Sequence, residues 1–358
     1  MRRRQEKKYG SLYKVSVVLG ILIAVSGLIA VTLLIWSWHN NQNDTIQALN
    51  NTIDTMYSEE EMQSILSTAV SEARLETKEE TESVLLGNIK AQLLEDKSII
   101  SILRPLYPNE LIIAANGMYN FVPIREDLAK HSLVEENLVL SEDGELTYQQ
   151  DGQVITNKGI DVSKYQGNID WSKVKADGVD YAFIRLGLRG YGTGAINIDE
   201  KFEKNIQGAH DAGVKVGVYF FSQAINVQEA IEEAEFVIEQ LQPYSHMVDY
   251  PVVMDVEKIS NDNGRMNNLT NEERTQVVLA FCERIADEGY TPMIYGNLEM
   301  FGLMVDMGEL EHIEKWYANY DPTMLYFPYD FKVWQYSAKG SVDGITGEVD
   351  MNVSFKEW

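Results

Sequence analysis

Two carboxylates one residue apart close an apolar run, Tyr250-Pro-Val-Val-Met-Asp-Val-Glu257, and they are the strongest chemical signal in the chain. Successive side chains of a β-strand alternate faces, so Asp255 and Glu257 point the same way while Val256 goes to the other side. Acids side by side at the end of a buried strand repel each other and are costly to desolvate, which raises the pKa of at least one. Packing alone gives no reason for such a pair. Glycoside hydrolysis does, because it needs one carboxylic acid to protonate a leaving oxygen and one carboxylate to stabilise or attack the sugar. The plainer reading is a strand-end Asp capping the following helix, with a solvated Glu nearby.

The elements around the pair read as a barrel. From Gly159 onward, short apolar runs alternate with helical stretches, the pattern of βα units around a parallel sheet. Eight runs read as strands: Gly159 to Val162, Tyr181 to Leu186, Val214 to Phe221, Pro251 to Val256, Pro292 to Tyr295, Lys315 to Asn319, Lys332 to Tyr336 and Val349 to Met351. Helical patterns at Trp171 to Asp177, Glu200 to Ala212, Val227 to Leu241 and Asn271 to Glu288 separate the first five. Past Tyr295 the helices shorten or vanish. The expected architecture is therefore α/β, a modified TIM-like barrel of about five βα units plus three further strands.

Reactive groups in such barrels sit at the carboxyl ends of the strands. Asp161 on the first strand and Asp350 on the last, which closes the barrel beside the first, obey that placement along with Asp255 and Glu257. Four carboxylates from three strand ends can thus converge on one cleft. Tyr165, Tyr219, Phe220, Tyr295, Trp316, Tyr317, Tyr320, Trp334 and Tyr336 cluster at the same ends. They read either as core or as a wet, sugar-stacking groove, and the excess of Tyr with its polar tip favours the groove. The glycine-rich stretch Gly187 to Gly194 lacks the Lys-Ser/Thr of a phosphate loop and reads as a rim loop, with Arg185 at its base placed to orient an Asp or contact substrate.

The rest of the chain reads as a device for holding this barrel. Residues 1–14 carry six basic side chains and one acid, and Val15 to Trp38 carry no charge. As a helix the latter stretch spans about 36 Å, enough to cross a hydrocarbon core of about 30 Å. A signal peptide is the rival reading, but its apolar region is shorter and ends at small residues, whereas this one runs on into Trp36 and Trp38. The expectation is one uncleaved transmembrane helix in the cell membrane, a basic cytoplasmic tail, and everything past about residue 40 outside, by the positive-inside rule. Residues 39–103 read as a helical stalk or coiled coil. Ile46, Leu49, Ile53 and Met56 form one apolar stripe, and Met62, Leu66, Ala69 and Ala73 another out of register with it. That pattern permits a homodimer through the stalk and equally a monomeric linker. Arg104-Pro-Leu-Tyr-Pro108 ends the helix. Residues 104–157 read as a small β-rich element, with a hairpin turn at Asp151-Gly152, and 158–358 as the barrel.

Charge and composition narrow the partners. Of the 30 Lys+Arg, six lie in the first 14 residues, leaving a net charge of −30 on the remainder. No basic face is left for phosphate backbones, so nucleic acid is not an expected partner. Cys282, the one cysteine, lies in a helical run and reads as core, and five scattered His give no metal-ligand spacing.

At the level of motifs the chain resembles glycoside hydrolase family 25, lysozymes that cleave the β-1,4 bond between N-acetylmuramic acid and N-acetylglucosamine in peptidoglycan. Gly159-Ile-Asp-Val-Ser-Lys-Tyr-Gln-Gly167 with Ile169-Asp-Trp171 is similar to the family's opening motif. Gly217-Val-Tyr-Phe-Phe221, Met254-Asp-Val-Glu257, Trp334-Gln-Tyr336 and Val349-Asp-Met-Asn352 resemble its later motifs in order. The resemblance covers about residues 158–358. It implies Glu257 as general acid, Asp255 as its partner, Asp161 and Asp350 as flanking carboxylates, and Tyr165, Arg185, Tyr219, Tyr295, Tyr317, Trp334, Gln335 and Tyr336 as substrate contacts, with no cofactor and no metal. Two departures stand out: Phe220 where many members carry His, and Arg185-Leu-Gly187 where Arg-Ala-Ser or Arg-Ala-Thr is common. Cα atoms of residues 255 and 257 lie about 6.6 Å apart along a strand, which leaves retaining, inverting and substrate-assisted routes open. A non-catalytic wall-binding scaffold and a chitinase-like glycosidase are the competing readings.

Overall fold

The computed structural model describes residues 59–358 apart from 96 and 260–263. Chain contacts divide it into two units, 1–102 and 103–358. In the first unit, helix α1 (Glu59–Leu94) runs for 36 residues and leaves Leu66, Leu75 and Leu86 exposed. Among the described residues no helix is long and apolar enough to cross a membrane. Residues 15–38, expected to do so, lie outside them, as does the first apolar stripe of the stalk. A short helix, α2 (Ile99–Leu103), follows.

The second unit begins with two small sheets. Strands β1 (Glu110–Ala115) and β2 (Met118–Pro123) form an antiparallel hairpin. Its turn is Asn116-Gly117, both at positive φ, a two-residue hairpin signal that the sequence reading does not use. Strands β3 (Leu138–Leu140), β4 (Leu146–Gln150) and β5 (Gln153–Val154) form the other sheet, with β4 and β5 joined at Asp151-Gly152, again both at positive φ.

The barrel strands are β6 (Asn157–Val162), β7 (Tyr181–Arg189), β9 (Lys215–Phe221), β10 (Val248–Asp255), β11 (Pro292–Asn297), β12 (Glu314–Ala318), β13 (Val333–Gly340) and β14 (Val349–Ser354). They close in the order β6-β14-β13-β12-β11-β10-β9-β7, with β7 paired back to β6. Neighbours are parallel except around β14, which is antiparallel to both β13 and β6. All eight expected runs are strands of this barrel. Helices α3 (Trp171–Ala176), α4 (Phe202–Asp211), α5 (Val227–Leu241) and α6 (Asn271–Asp287) follow the first four strands, each starting at a cap or an acidic first turn. A single π-helical turn, Met300–Met304, follows β11. The expected rim loop after Arg185 is in part a hairpin, because β7 continues to Arg189 and pairs with β8 (Ile196–Ile198).

Strand alternation decides what lies inside. Tyr181, Phe183, Val253, Met293, Tyr295, Trp316, Ala318 and Val333 form one interior cluster. Phe183 stacks on Trp316 at 4.5 Å and Tyr181 on Tyr250 at 4.5 Å, so aromatic rings plug the barrel. Glycines directly opposite on the neighbouring strands make room for them. A Cβ on Gly159 would stand 2.1 Å from the Tyr181 ring, and one on Gly217 2.5 Å from the Phe183 ring. Neither ring has space to withdraw in a close-packed interior. Gly159→Ala is therefore expected to cost about 1–3 kcal/mol of stability, read as a lowered urea midpoint. An unchanged midpoint would mean that the barrel interior is looser than this packing.

Candidate active site

Above the aromatic plug the inward positions turn from apolar to acidic. On β6, Gly159 gives way to Asp161 two residues on; on β10, Val253 gives way to Asp255; and Asp350 on β14 pairs directly with Asp161. Asp161 and Asp255 are both only 7% exposed. Glu257 lies just past the end of β10 and is exposed at the mouth. The four acids expected to converge thus line one opening at the carboxyl end of the barrel.

Amide side chains hold the deepest of these acids. Gln335 Nε2 and Asn352 Nδ2 donate to Asp161 Oδ2 at 2.8 and 2.9 Å. The hydroxyls of Tyr295 and Tyr320 donate to Gln335 Oε1 at 2.8 and 2.9 Å, and Trp316 Nε1 donates to Asn352 Oδ1 at 2.8 Å. Each amide is oriented by donors on its oxygen, so its N–H is committed to the carboxylate. Asp255 is treated differently: its Oδ1 is buried and receives no hydrogen bond from the described residues. A buried acceptor left open in this way is costly unless a ligand supplies the donor.

Burial is the first cause of a raised pKa at all four acids. Asp161 is pushed well up by burial and then by the Asp350 charge, with Asn352 and Gln335 pulling it down. Asp255 is pushed well up by burial, then by Glu257 and Asp161, while Arg185 opposes. Glu257 is raised although it shows surface at the mouth, because the walls exclude part of its solvent; the Tyr295 hydroxyl acts the other way and Asp350 adds to the rise. Asp350 is raised to about 6 by burial. Protons within this set are shared, and the acids titrate together.

The model of Glycosyl hydrolases family 25 matches residues 160–345. This chain belongs to that family. The family 25 chain is 29% identical to Lysozyme M1 of Streptomyces globisporus over 203 residues, covering 54% of this chain and 66% of that one. It is 30% identical to the uncharacterized protein YegX of Escherichia coli K12 over 207 residues, covering 55% and 69%. The chain thus spans about two thirds of the length of these relatives. Among solved structures, the spore cortex lytic enzyme SleM of Clostridium perfringens superposes with a TM-score of 0.50 at 23% identity, covering 57% of this chain and 69% of that one, and shows the same fold.

The family 25 barrel brings some of the expected substrate contacts to the mouth and turns others away. Tyr295, Gln335 and Tyr219 face inward beside the acids. Tyr165 is 77% exposed, with the Arg185 guanidinium 5.1 Å from its ring centroid. Tyr317, Trp334 and Tyr336 are corrected: alternation puts them outside the barrel, because their neighbours Trp316, Val333 and Gln335 point in. Tyr317 stacks on Phe327 at 4.7 Å, Trp334 donates to the Asn319 carbonyl at 2.8 Å, and Tyr336 packs toward Leu146. Phe220, in place of the His common in the family, also points outward, against Phe236 of α5.

Asn352 and Asp199 join the site although the sequence reading assigns them no role, and Tyr320, read only as one of the strand-end aromatics, bonds Gln335. Asn352 lies two residues from Asp350 on the same strand face, a readable signal. Asp199 is the acid that Arg185 orients: Arg185 Nε donates to it at 2.8 Å, as do the backbone N–H groups of Lys164 and Lys201 at 3.1 and 2.9 Å. This junction fixes the loop that carries Tyr165. Arg265 donates to Glu229 at 2.7 and 2.9 Å and to the Gln223 carbonyl at 3.1 Å.

Asp350 gives a pH test of this electrostatic arrangement. A carboxyl raised from 3.8 to about 6 on folding contributes stability that is fully present below about 3.8 and is lost as pH rises through about 6. Asp350→Asn is therefore expected to gain on the order of 1–2 kcal/mol relative to the parent between acid and neutral pH. Urea unfolding on both sides of that window reads it, and a pH-independent difference would contradict the raised value.

Proposed function

We propose that this chain is a membrane-tethered muramidase that hydrolyses the β-1,4 bond between N-acetylmuramic acid and N-acetylglucosamine in peptidoglycan. The observation that carries the reading is the convergence of Asp161, Asp255, Glu257 and Asp350 on one opening, with Asp255 Oδ1 left as a buried open acceptor. Glu257, with its raised pKa, is the general acid: it gives its proton to the glycosidic oxygen as the bond to the anomeric carbon breaks. Asp255 accepts the N–H of the substrate's N-acetyl group, the acetamide oxygen bonds to the anomeric carbon as the glycosidic oxygen leaves, and Asp255 stabilises the positive charge of the resulting cyclic oxazolinium intermediate. Water then opens the cyclic intermediate, its proton passing to the Glu257 carboxylate. This substrate-assisted route retains configuration. Asp161 and Asp350 hold negative charge behind the reaction centre, and the inward Tyr219 and Tyr295 with rim Tyr165 supply sugar contacts.

The uncharged stretch 15–38 behind a basic tail supports the tether and a barrel outside the cell membrane, facing the wall. Pairing of two chains through residues 39–103 belongs to the same proposal, supported by the exposed leucines of α1. Incubation of the purified full chain with peptidoglycan sacculi tests the activity. Release of soluble reducing sugar is expected; capture of sacculi without release would make the barrel a binding scaffold, and equal digestion of chitin oligomers would change the substrate.

A further inference from the structure

The β1–β2 hairpin lies outside the stretch matched by the family model, yet it reaches the catalytic mouth. Lys258, the residue after Glu257, donates through Nζ to Asn116 Oδ1 at the tip of the hairpin turn and to Glu299 Oε1 at 3.0 Å. The hairpin's inner face is anchored on the barrel side. Leu111 and Phe301 line a common cavity, and Ile113 packs so closely on Gly302 that an added Cβ there would be 2.3 Å from its Cδ1. The Tyr326 hydroxyl also donates to the Ile112 carbonyl at 3.0 Å. The hairpin is thus packed on the π-helical turn that follows β11 and bonded to the residue next to the general acid.

The opposite face buries Ile112 but leaves aromatic surface exposed. The register pairs Ala114 with Tyr119 and Ile112 with Phe121, so Tyr119 and Phe121 share the face opposite Ile113. Tyr119 is 51% exposed and Phe121 41%. Tyr107, 40% exposed, meets Phe121 edge-on at 4.8 Å. Two rings on β2 and a third, Tyr107, from the segment before β1 together form an apolar strip, a feature that marks a binding surface. From Tyr119, three residues past the turn residue that meets Lys258, the strip runs to Phe121 about 7 Å along the strand and on to Tyr107.

We propose that the β1–β2 hairpin is an added wall of the cleft, whose strip of Tyr119, Phe121 and Tyr107 stacks on sugar rings of the glycan strand beyond the cleaved linkage. The occupant follows from continuity: a polymer threaded through the acidic mouth leaves it over this face, and sugar rings present the flat C–H surfaces that aromatic faces take. The inference rests on the reading of the cleft as a peptidoglycan site. It makes the hairpin a determinant of preference for long chains over short ones.

The test compares the full-length chain in mild detergent with Tyr119→Ala and Tyr119→Trp, on intact sacculi and on a peptidoglycan tetrasaccharide. Tyr119→Ala is expected to raise the apparent KM on sacculi at least about fivefold, leave turnover of the tetrasaccharide unchanged, and be rescued by Tyr119→Trp. Equal losses on both substrates, or parent-like KM on sacculi, would overturn the proposal. A second arm needs no catalysis: Glu257→Gln protein is sedimented with sacculi with and without Tyr119→Ala. Loss of sedimentation with the Ala variant supports the platform even if the parent chain releases no sugar, which would count against the muramidase reading alone. Unaltered sedimentation counts against the platform alone.

Discussion

Glu257→Gln is expected to lower kcat on peptidoglycan by at least about 10²-fold, with KM nearly unchanged. The amide keeps the shape and the contact with the Tyr295 hydroxyl but has no acidic proton to give to the leaving oxygen. The effect belongs to kcat because proton transfer is completed only in the transition state. The parent's rate should also fall on the alkaline side as Glu257 loses its proton, at a pH above the ordinary carboxylate range because burial and Asp350 raise it. That alkaline limb should disappear in the Gln variant. Turnover like the parent's would remove Glu257 from the role of acid and leave the cleft without an identified proton donor.

Asp255→Asn is the second large effect, and it acts in opposite directions on activity and stability. Activity is expected to fall by about 10²–10³-fold, the usual cost of losing one preorganised electrostatic partner of a developing charge. Stability at neutral pH is expected to rise. The folded-state pKa of Asp255 lies well above 3.8, so its stability contribution is fully present below about 3.8 and is lost as pH rises through the raised value. Replacing the acid by its amide removes that burden at neutral pH, and the gain should vanish in acid. An Asn variant that is both active and no more stable would contradict the burial of Asp255 as well as its role. The same pair of chains separates mechanisms, because a first-formed product of inverted configuration would exclude assistance by the substrate's acetamide.

Much of this site was legible because barrel strands translate sequence spacing into direction. Asp161 after Gly-Ile, and Asp255 after Val-Met, could be placed at strand ends from the apolar runs alone, and the eight runs are the eight strands. The same alternation was the trap at Tyr317, Trp334 and Tyr336. These are aromatic residues of barrel strands, but each is one residue out of phase with an inward neighbour, and only the register of the strand shows which of two adjacent aromatics faces the cleft. Gln335, between two outward rings, is the residue that reaches Asp161. The partnership of Arg185 with Asp199 was out of reach for another reason. It joins the middle of β7 to the residue just beyond β8, a hairpin whose pairing is set by tertiary contacts. Asn116-Gly117 carries a two-residue turn signal that the sequence reading passed over, and it defines the hairpin that meets Lys258.

Mass spectrometry of the soluble products released from purified peptidoglycan tests the account most directly. Cleavage by Glu257 and Asp255 as described leaves N-acetylmuramic acid at every new reducing end. Products ending in N-acetylglucosamine, or no soluble products from a folded chain, would contradict it.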